Sequence, residues 1–185
     1  MQFNPYGRDP VLLAVDLAND PPTDTTALAD RCAGAGLVLE CAVTPADLTA
    51  LASFFDRWSA VVDAAAPITR AELLNGLLTE YSAPPQLTDH AGTGWHLHFR
   101  ADGLPVHRQV AALVAVGTAL HLTGLGMGRL GRCAAVDCTR VYADVSRNGR
   151  QRYCSPGCGN RAAVQRHRSR ISGSGAVQGT GSASR

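Results

Sequence analysis

Residues 132–170 read RCAAVDCTRVYADVSRNGRQRYCSPGCGNRAAVQRHRSR, and they decide the carboxy-terminal fold. Cys133 and Cys138 are separated by four residues, Cys154 and Cys158 by three, and fifteen residues lie between the pairs. Tetrahedral zinc takes four soft ligands, and two short-spaced cysteine pairs joined by a hairpin supply them. Val141, Tyr142 and Val145 read as one strand, Asn148-Gly149 as a tight turn, and Arg152-Tyr153 as the return. Ser155 and Pro156 suit the cap and first turn of a helix that carries Cys158 and runs to about Arg170. Knuckle, hairpin and ligand-bearing helix together predict a treble-clef-like finger. Its metal is one structural Zn2+, because so small and polar a segment cannot fold on its own burial. Four-thiolate iron–sulfur ligation is the competing metal reading. Unligated or disulfide-bonded cysteines are the bland one.

Working outward, the charge is divided. All 17 basic residues are arginine. Residues 1–128 hold 6 of them against 13 acids, a net −7, whereas residues 129–185 hold 11 against 2, a net +9. A GC-rich genome accounts for arginine over lysine but not for its crowding at one end. An acidic body with a basic appendage predicts a polyanionic partner, here double-stranded DNA. The candidate contacts are Arg147, Arg150 and Arg152 on the hairpin, with Arg161, Gln165, Arg166, His167, Arg168 and Arg170 on the helix. A solvated face, or one docked on the chain's own acidic part, is the alternative. A single short finger offers few contacts, so an oligomer would add specificity, although no heptad pattern supports one.

Residues 1–128 read as mainly helical with a small β element. Residues 11–17, VLLAVDL, are apolar without a deciding period. A short helix is expected through Leu28 and Cys32, ending at Gly34/Gly36. Thr44, Pro45 and Asp47 make a capping box for a helix with a stripe of Leu48, Leu51, Phe55, Trp58 and Val62. Thr69 and Glu72 repeat the box before Leu73, Leu74, Leu77 and Leu78. TGWHLHFR, residues 93–100, alternates as a strand with Trp95, Leu97 and Phe99 on one face and His96 and His98 on the other. A long helix follows Pro105. The class is therefore α+β, with boundaries at 1–128, 129–171 and a Gly/Ser-rich tail, 172–185, expected to be disordered.

Other motifs weigh less. His96 and His98 offer a metal pair with Asp89 or His90, although exposed strand histidines are commoner. Cys32 and Cys41 are candidate redox thiols, and Asp16, Asn19 and Asp20 a polar segment end that turn capping also explains. The glycines of LTGLGMGRLG, residues 122–131, fit a flexible link better than a phosphate loop. No nucleophile–base pair emerges, so no enzyme is expected. The start lacks a secretory pattern and no run of eighteen apolar residues occurs, so the expectation is a cytoplasmic protein without a membrane span.

Cys158-Gly159-Asn160-Arg161, preceded by RCAAVDC and SRNGRQRYCS, resembles the bacterial CGNR zinc-finger family. The earlier part, with VLLAVDLAND near its start and a long helix ending in GRLGRC, resembles the ABATE domain that precedes this finger. The resemblance implies a stress-responsive transcriptional regulator in which the finger binds DNA and the preceding domain senses a small molecule or a protein. The four cysteines carry over as zinc ligands, and Gly159, Asn160 and Arg161 as signature residues. A finger that serves protein interaction without direct DNA binding is the alternative.

Overall fold

The computed structural model describes residues 7–89 and 95–174, with side chains up to residue 171. In chain order the elements are α1 (Arg8–Asn19), α2 (Thr25–Gly34), α3 (Pro45–Asp63), α4 (Pro67–Tyr81), β1 (Gln86–Thr88), β2 (His96–His98), α5 (Val106–Leu125), β3 (Leu130–Arg132), β4 (Val141–Ala143) and α6 (Pro156–Ser174). The class is α+β. Helices dominate, and two antiparallel strand pairs, β1–β2 and β3–β4, accompany them.

α5 forms the centre of the fold. Val106, Val110, Ala111, Val114 and Ala115 are fully buried, and α1, α3 and α4 pack around them. This helix is long and apolar enough to cross a bilayer. Burial on successive faces accounts for that apolarity, since a helix apolar all round belongs in a core as much as in lipid. Its buried polar groups hold the connecting loops. Trp58 Nε1 donates to Thr118 Oγ1 at 3.0 Å. Gln109 donates to the Leu104 carbonyl at 2.7 Å and accepts from the Glu40 amide. His121 pairs through Nε2 with the Arg129 carbonyl at 3.1 Å, and burial pushes its imidazole toward the neutral form. α1 crosses α5 where Gly117 faces Pro10, and a Cβ on Gly117 would collide with that ring.

The apolar run 11–17 is helical. α1 begins after Gly7, whose positive φ of 62° turns the chain into it. The capping box at Thr44 forms, and Pro45 is the first helical residue of α3. Its buried stripe is Leu51, Phe54, Trp58, Val61 and Val62, so Phe54 rather than Phe55 points to the centre. α4 starts at Pro67, two residues before Thr69, because Ala66 is extended and the proline presets the first turn. In β2 the expected faces are exchanged: His96 is 9% exposed, while Trp95 is 69% and Leu97 45% exposed. The imidazole face turns inward, with His98 beside the Glu40 carboxylate, which pairs with Arg100 at 2.5 Å. α6 continues to Ser174, past the expected boundary at 172; residues 175–185 lie outside the described residues.

Two charged side chains each serve several elements. Arg70, 8% exposed, donates to the carbonyls of Val61, Val62 and Ala64 and to that of Met127. It thereby closes the end of α3 and fixes the turn after α5. Asp47 accepts from the Thr44 amide and hydroxyl at 2.9 and 2.7 Å and from the His107 amide and Nδ1 at 2.9 and 2.7 Å. One carboxylate thus caps both α3 and α5. Burial alone would raise its pKa, but the bonds from Thr44 and His107 outweigh it and hold the group at about 2. The folded value lies below the unfolded one, so the contribution is complete above about pH 4 and is lost as pH falls toward 2. The difference is worth roughly 2.5 kcal/mol. Asp47→Asn should therefore reduce stability in urea titrations at pH 6, and the gap from the parent should shrink between pH 4 and 2.

Candidate metal centre and basic helix

β3 and β4 run antiparallel with Gly131 opposite Tyr142, and the knuckle Cys133–Cys138 is the loop between them. The expected pairing of 141–145 with 152–153 does not occur. Two causes favour the upstream partner. Leu130, Val141 and Ala143 are buried in the helical core, and the Asp144 carboxylate takes the amides of Ser146 and Gln151 that a longer strand would need. The segment 144–151 is consequently a loop closed around Asp144, which also receives Arg129 at 3.3 Å. Gly149 supplies its positive φ of 66°. Cys154 precedes α6 and Cys158 sits in its first turn, where the Cys158 amide donates to Ser155 Oγ at 3.3 Å.

These elements bring the four sulfurs together. Cys138 and Cys154 are 3.7 Å apart, Cys154 and Cys158 3.5 Å, and Cys158 and Cys138 3.8 Å, and all four lie within 4.8 Å of one another. Zinc bonded to sulfur at about 2.3 Å in a tetrahedron gives S···S edges of about 3.8 Å. A disulfide needs about 2.05 Å, and all four cysteines are free. The donor set therefore fits one structural Zn2+. Hydrogen bonds from the Ser155 hydroxyl and from neighbouring thiols lower Cys158 to about 7, whereas burial and the same thiols push Cys154 up, as expected of closely packed sulfurs. Cys133, Ala135 and Cys158, with Cys138, Tyr153 and Cys154 against them, form a small cluster separate from the main core. Without a metal that cluster has little apolar surface to hold it together.

Residues 129–171 match the family model of the CGNR zinc finger. The carboxy-terminal module is a zinc finger. No curated protein matches the chain.

The structure divides the arginines of this finger by task. Arg132 makes a two-pronged pair with Asp63 at 2.8 and 3.0 Å and donates to the Thr139 carbonyl. Arg140 does the same with Asp20 at 3.1 and 2.5 Å. Arg129 reaches the Ser146 carbonyl at 2.8 Å. These three secure the finger to the helical domain and close its loop. Among the anticipated contacts, Arg147, Arg150 and Arg152 are exposed on the loop, and every residue of α6 from Ala163 to Ile171 is exposed. Arg166 is steadied by Tyr153, whose hydroxyl accepts from Nη1 at 2.8 Å. Gln165, His167, Arg168 and Arg170 lie along the same projecting helix.

Arg161 belongs to the metal centre. Its Nη2 donates to Cys158 Sγ at 2.9 Å. A four-thiolate zinc site carries a formal charge of −2, and a guanidinium on one sulfur offsets part of it. Asn160 is exposed at the same turn.

The contacts of Asn19 and Asp20 escaped sequence reasoning. The Asn19 amide donates to the Val141 carbonyl at 2.9 Å and accepts from the Val141 amide at 2.7 Å. Its side chain thus pairs with β4 as a neighbouring strand would. With Asp20 on Arg140, the end of α1 grips the strand that leaves the zinc knuckle. The sole sequence signal was a polar pair ending an apolar helix, which fits any cap. In the GLGMG link, expected to be flexible, Gly124 and Leu125 end α5 and the rest is a turn: Arg129 N donates to the Gly126 carbonyl, and Arg70 holds Met127. Cys32 is buried and raised to about 11 by that burial, against a redox role, whereas Cys41 is exposed.

Replacing Arg161 with Gln should speed zinc loss to a chromophoric chelator by roughly tenfold, the usual effect of removing an outer-shell partner, while Arg161→Lys restores part of the retention. Equal release from all three proteins would remove Arg161 from the metal centre. Asn19→Ala strands both polar groups of Val141 and should cost about 1–3 kcal/mol in urea unfolding of the full chain.

Proposed function

We propose that the chain is a zinc-dependent, DNA-binding transcriptional regulator, with the finger on DNA and the helical domain, which resembles the ABATE domain, receiving a signal or partner. One observation carries this reading. α6 projects from the zinc site with cations exposed along its length, beside the exposed arginines of the 144–151 loop and Arg152. The ion pairs that seat the finger, Arg132–Asp63 and Arg140–Asp20, draw on other arginines. Docking on the acidic domain therefore leaves the outer set displayed. A helix exposed all round with few tertiary contacts is weakly stable alone, and a phosphate backbone supplies the counter-charge for its arginines. The Asn19–Val141 and Asp20–Arg140 contacts give the helical domain a route to the finger.

A second reading has an observation of its own. Val136, Val164 and Ile171 are 78%, 50% and 62% exposed, and Val136 lines a shallow hollow with Gln165, Arg166, Ser169 and Arg170. Apolar groups among arginines suit a protein partner as well as a base methyl.

Duplex-DNA affinity of the zinc-loaded chain across a salt series separates the two. Roughly four to six phosphate contacts give log K falling against log salt with a slope near −4 to −5. Arg168→Ala should weaken binding and reduce the slope by about 1 without loss of zinc, with Arg166→Ala acting in the same direction. No affinity at low salt with zinc retained would favour the protein-interaction reading.

A further inference from the structure

His96 and His98 stand on the inward face of β2, opposite Thr88 and Gln86 of β1. Their Nε2 atoms lie 3.2 Å apart, with ring planes at 64°. Metal–nitrogen bonds of about 2.0–2.1 Å in a tetrahedron place two ligand nitrogens about 3.3–3.4 Å apart. The pair therefore already stands at the spacing a shared ion imposes. The other nitrogen of His98 looks toward a carboxylate at a distance longer than a hydrogen bond. Its Nδ1 faces Asp102 Oδ1 at 3.8 Å, and ligating histidines characteristically present the second ring nitrogen to a carboxylate. Glu40 completes the surroundings: ligand atoms of Glu40, His98 and Asp102 fall within 4.8 Å of one another. Glu40 is itself held by Arg100 at 2.5 Å and by the Gly103 amide at 2.8 Å. With one guanidinium against two carboxylates, the local charge still favours a cation.

We propose that His96 and His98 bind a divalent transition-metal ion through Nε2, with Asp102 and Glu40 orienting and charge-balancing the pair. The site is separate from the four cysteines: both ligands come from β2, and the supporting carboxylates come from the loop before α3 and the turn before α5. Two imidazoles and nearby carboxylate oxygens suit Zn2+, Co2+, Ni2+ or Cu2+ over the harder Mg2+ and Ca2+. Two protein nitrogens leave positions open to water, so binding is weaker and more exchangeable than in the finger. An ion here would tie β2 to the turn that enters α5. The inference is independent of DNA binding, since its readout is metal content.

The test uses the full chain with one Zn2+ already in the finger, titrated with Co2+ and followed by visible absorbance and metal analysis. Binding of about one further ion per chain is expected, with weak ligand-field bands and none of the intense thiolate-to-metal charge transfer that cobalt in the cysteine site would show. His98→Ala and His96→Ala should abolish that ion and keep the finger zinc. Asp102→Asn should weaken it about tenfold. Because alanine removes a half-buried or buried ring, His98→Gln provides a milder substitution, checked by circular dichroism. The wild-type stoichiometry decides the first question without any variant. No second ion in the wild type, or a second ion that survives both histidine substitutions, would overturn the proposal and leave the 3.2 Å contact as an imidazole–imidazole hydrogen bond.

Discussion

The β3–β4 pair belongs to two structures at once, and the arrangement of the chain depends on that sharing. Leu130, Val141 and Ala143 are packed in the helical core, while the loop between the same two strands carries Cys133 and Cys138. Pairing of strands only three residues long contributes little in isolation. The apolar side chains fix the pair from one side, and a metal drawn to four sulfurs fixes its loop from the other. A shift of one residue in register would turn Leu130, Val141 and Ala143 away from the core and carry the knuckle cysteines with them. Core packing and metal geometry thus constrain one another through six strand residues.

Electrostatics follows the same division. The acidic helical domain does not attract the finger's charge indiscriminately. Asp63 takes Arg132, and Asp20 takes Arg140, each with two nitrogens on one carboxylate. Such forked pairs have a fixed orientation, which suits a positioning role better than a stabilising one, since exposed pairs contribute little free energy. Both arginines flank the knuckle directly, at the residue before Cys133 and two after Cys138. The positive charge of the outer loop and α6 is left facing solvent, on the side away from these pairs in sequence and in task.

Local chemistry was legible in the sequence where it depends on near neighbours. The cysteine spacing led to a closed four-sulfur cluster because short loops can hold only a few geometries. The Thr44–Asp47 box formed for the same reason, as did the cap and start of α6 at Ser155 and Pro156. Long-range partners were not legible. The strand partner of Val141 is LGR, residues 130–132, with a glycine and no β-branched residue, and it pairs because of what it buries. Asn19 meets Val141 across 122 positions, and Asp47 meets His107 across 60. Periodicity fixed that β2 alternates but not which face turns inward. His98 comes to lie beside the Glu40 carboxylate, a neighbour that only the tertiary structure brings there.

These long-range contacts tie the helices to both strands of the knuckle. α5 touches both ends: through Gln109 it holds the loops at Leu104 and Glu40, and through His121 it holds the Arg129 carbonyl at the entry to the finger. α1 lies along α5, close enough at Gly117 that no side chain fits, and it ends in the Asn19–Asp20 grip on β4. A displacement of α5 by the turn that begins it would therefore reach β3 through His121 and β4 through α1, on both strands of the knuckle together. Packed interiors yield as rigid pieces and not as soft media, so such a displacement would move the zinc loop as a unit relative to the helical domain. The helical part holds the knuckle strands both by the apolar packing of Leu130, Val141 and Ala143 and by directional hydrogen bonds from Asn19 and His121.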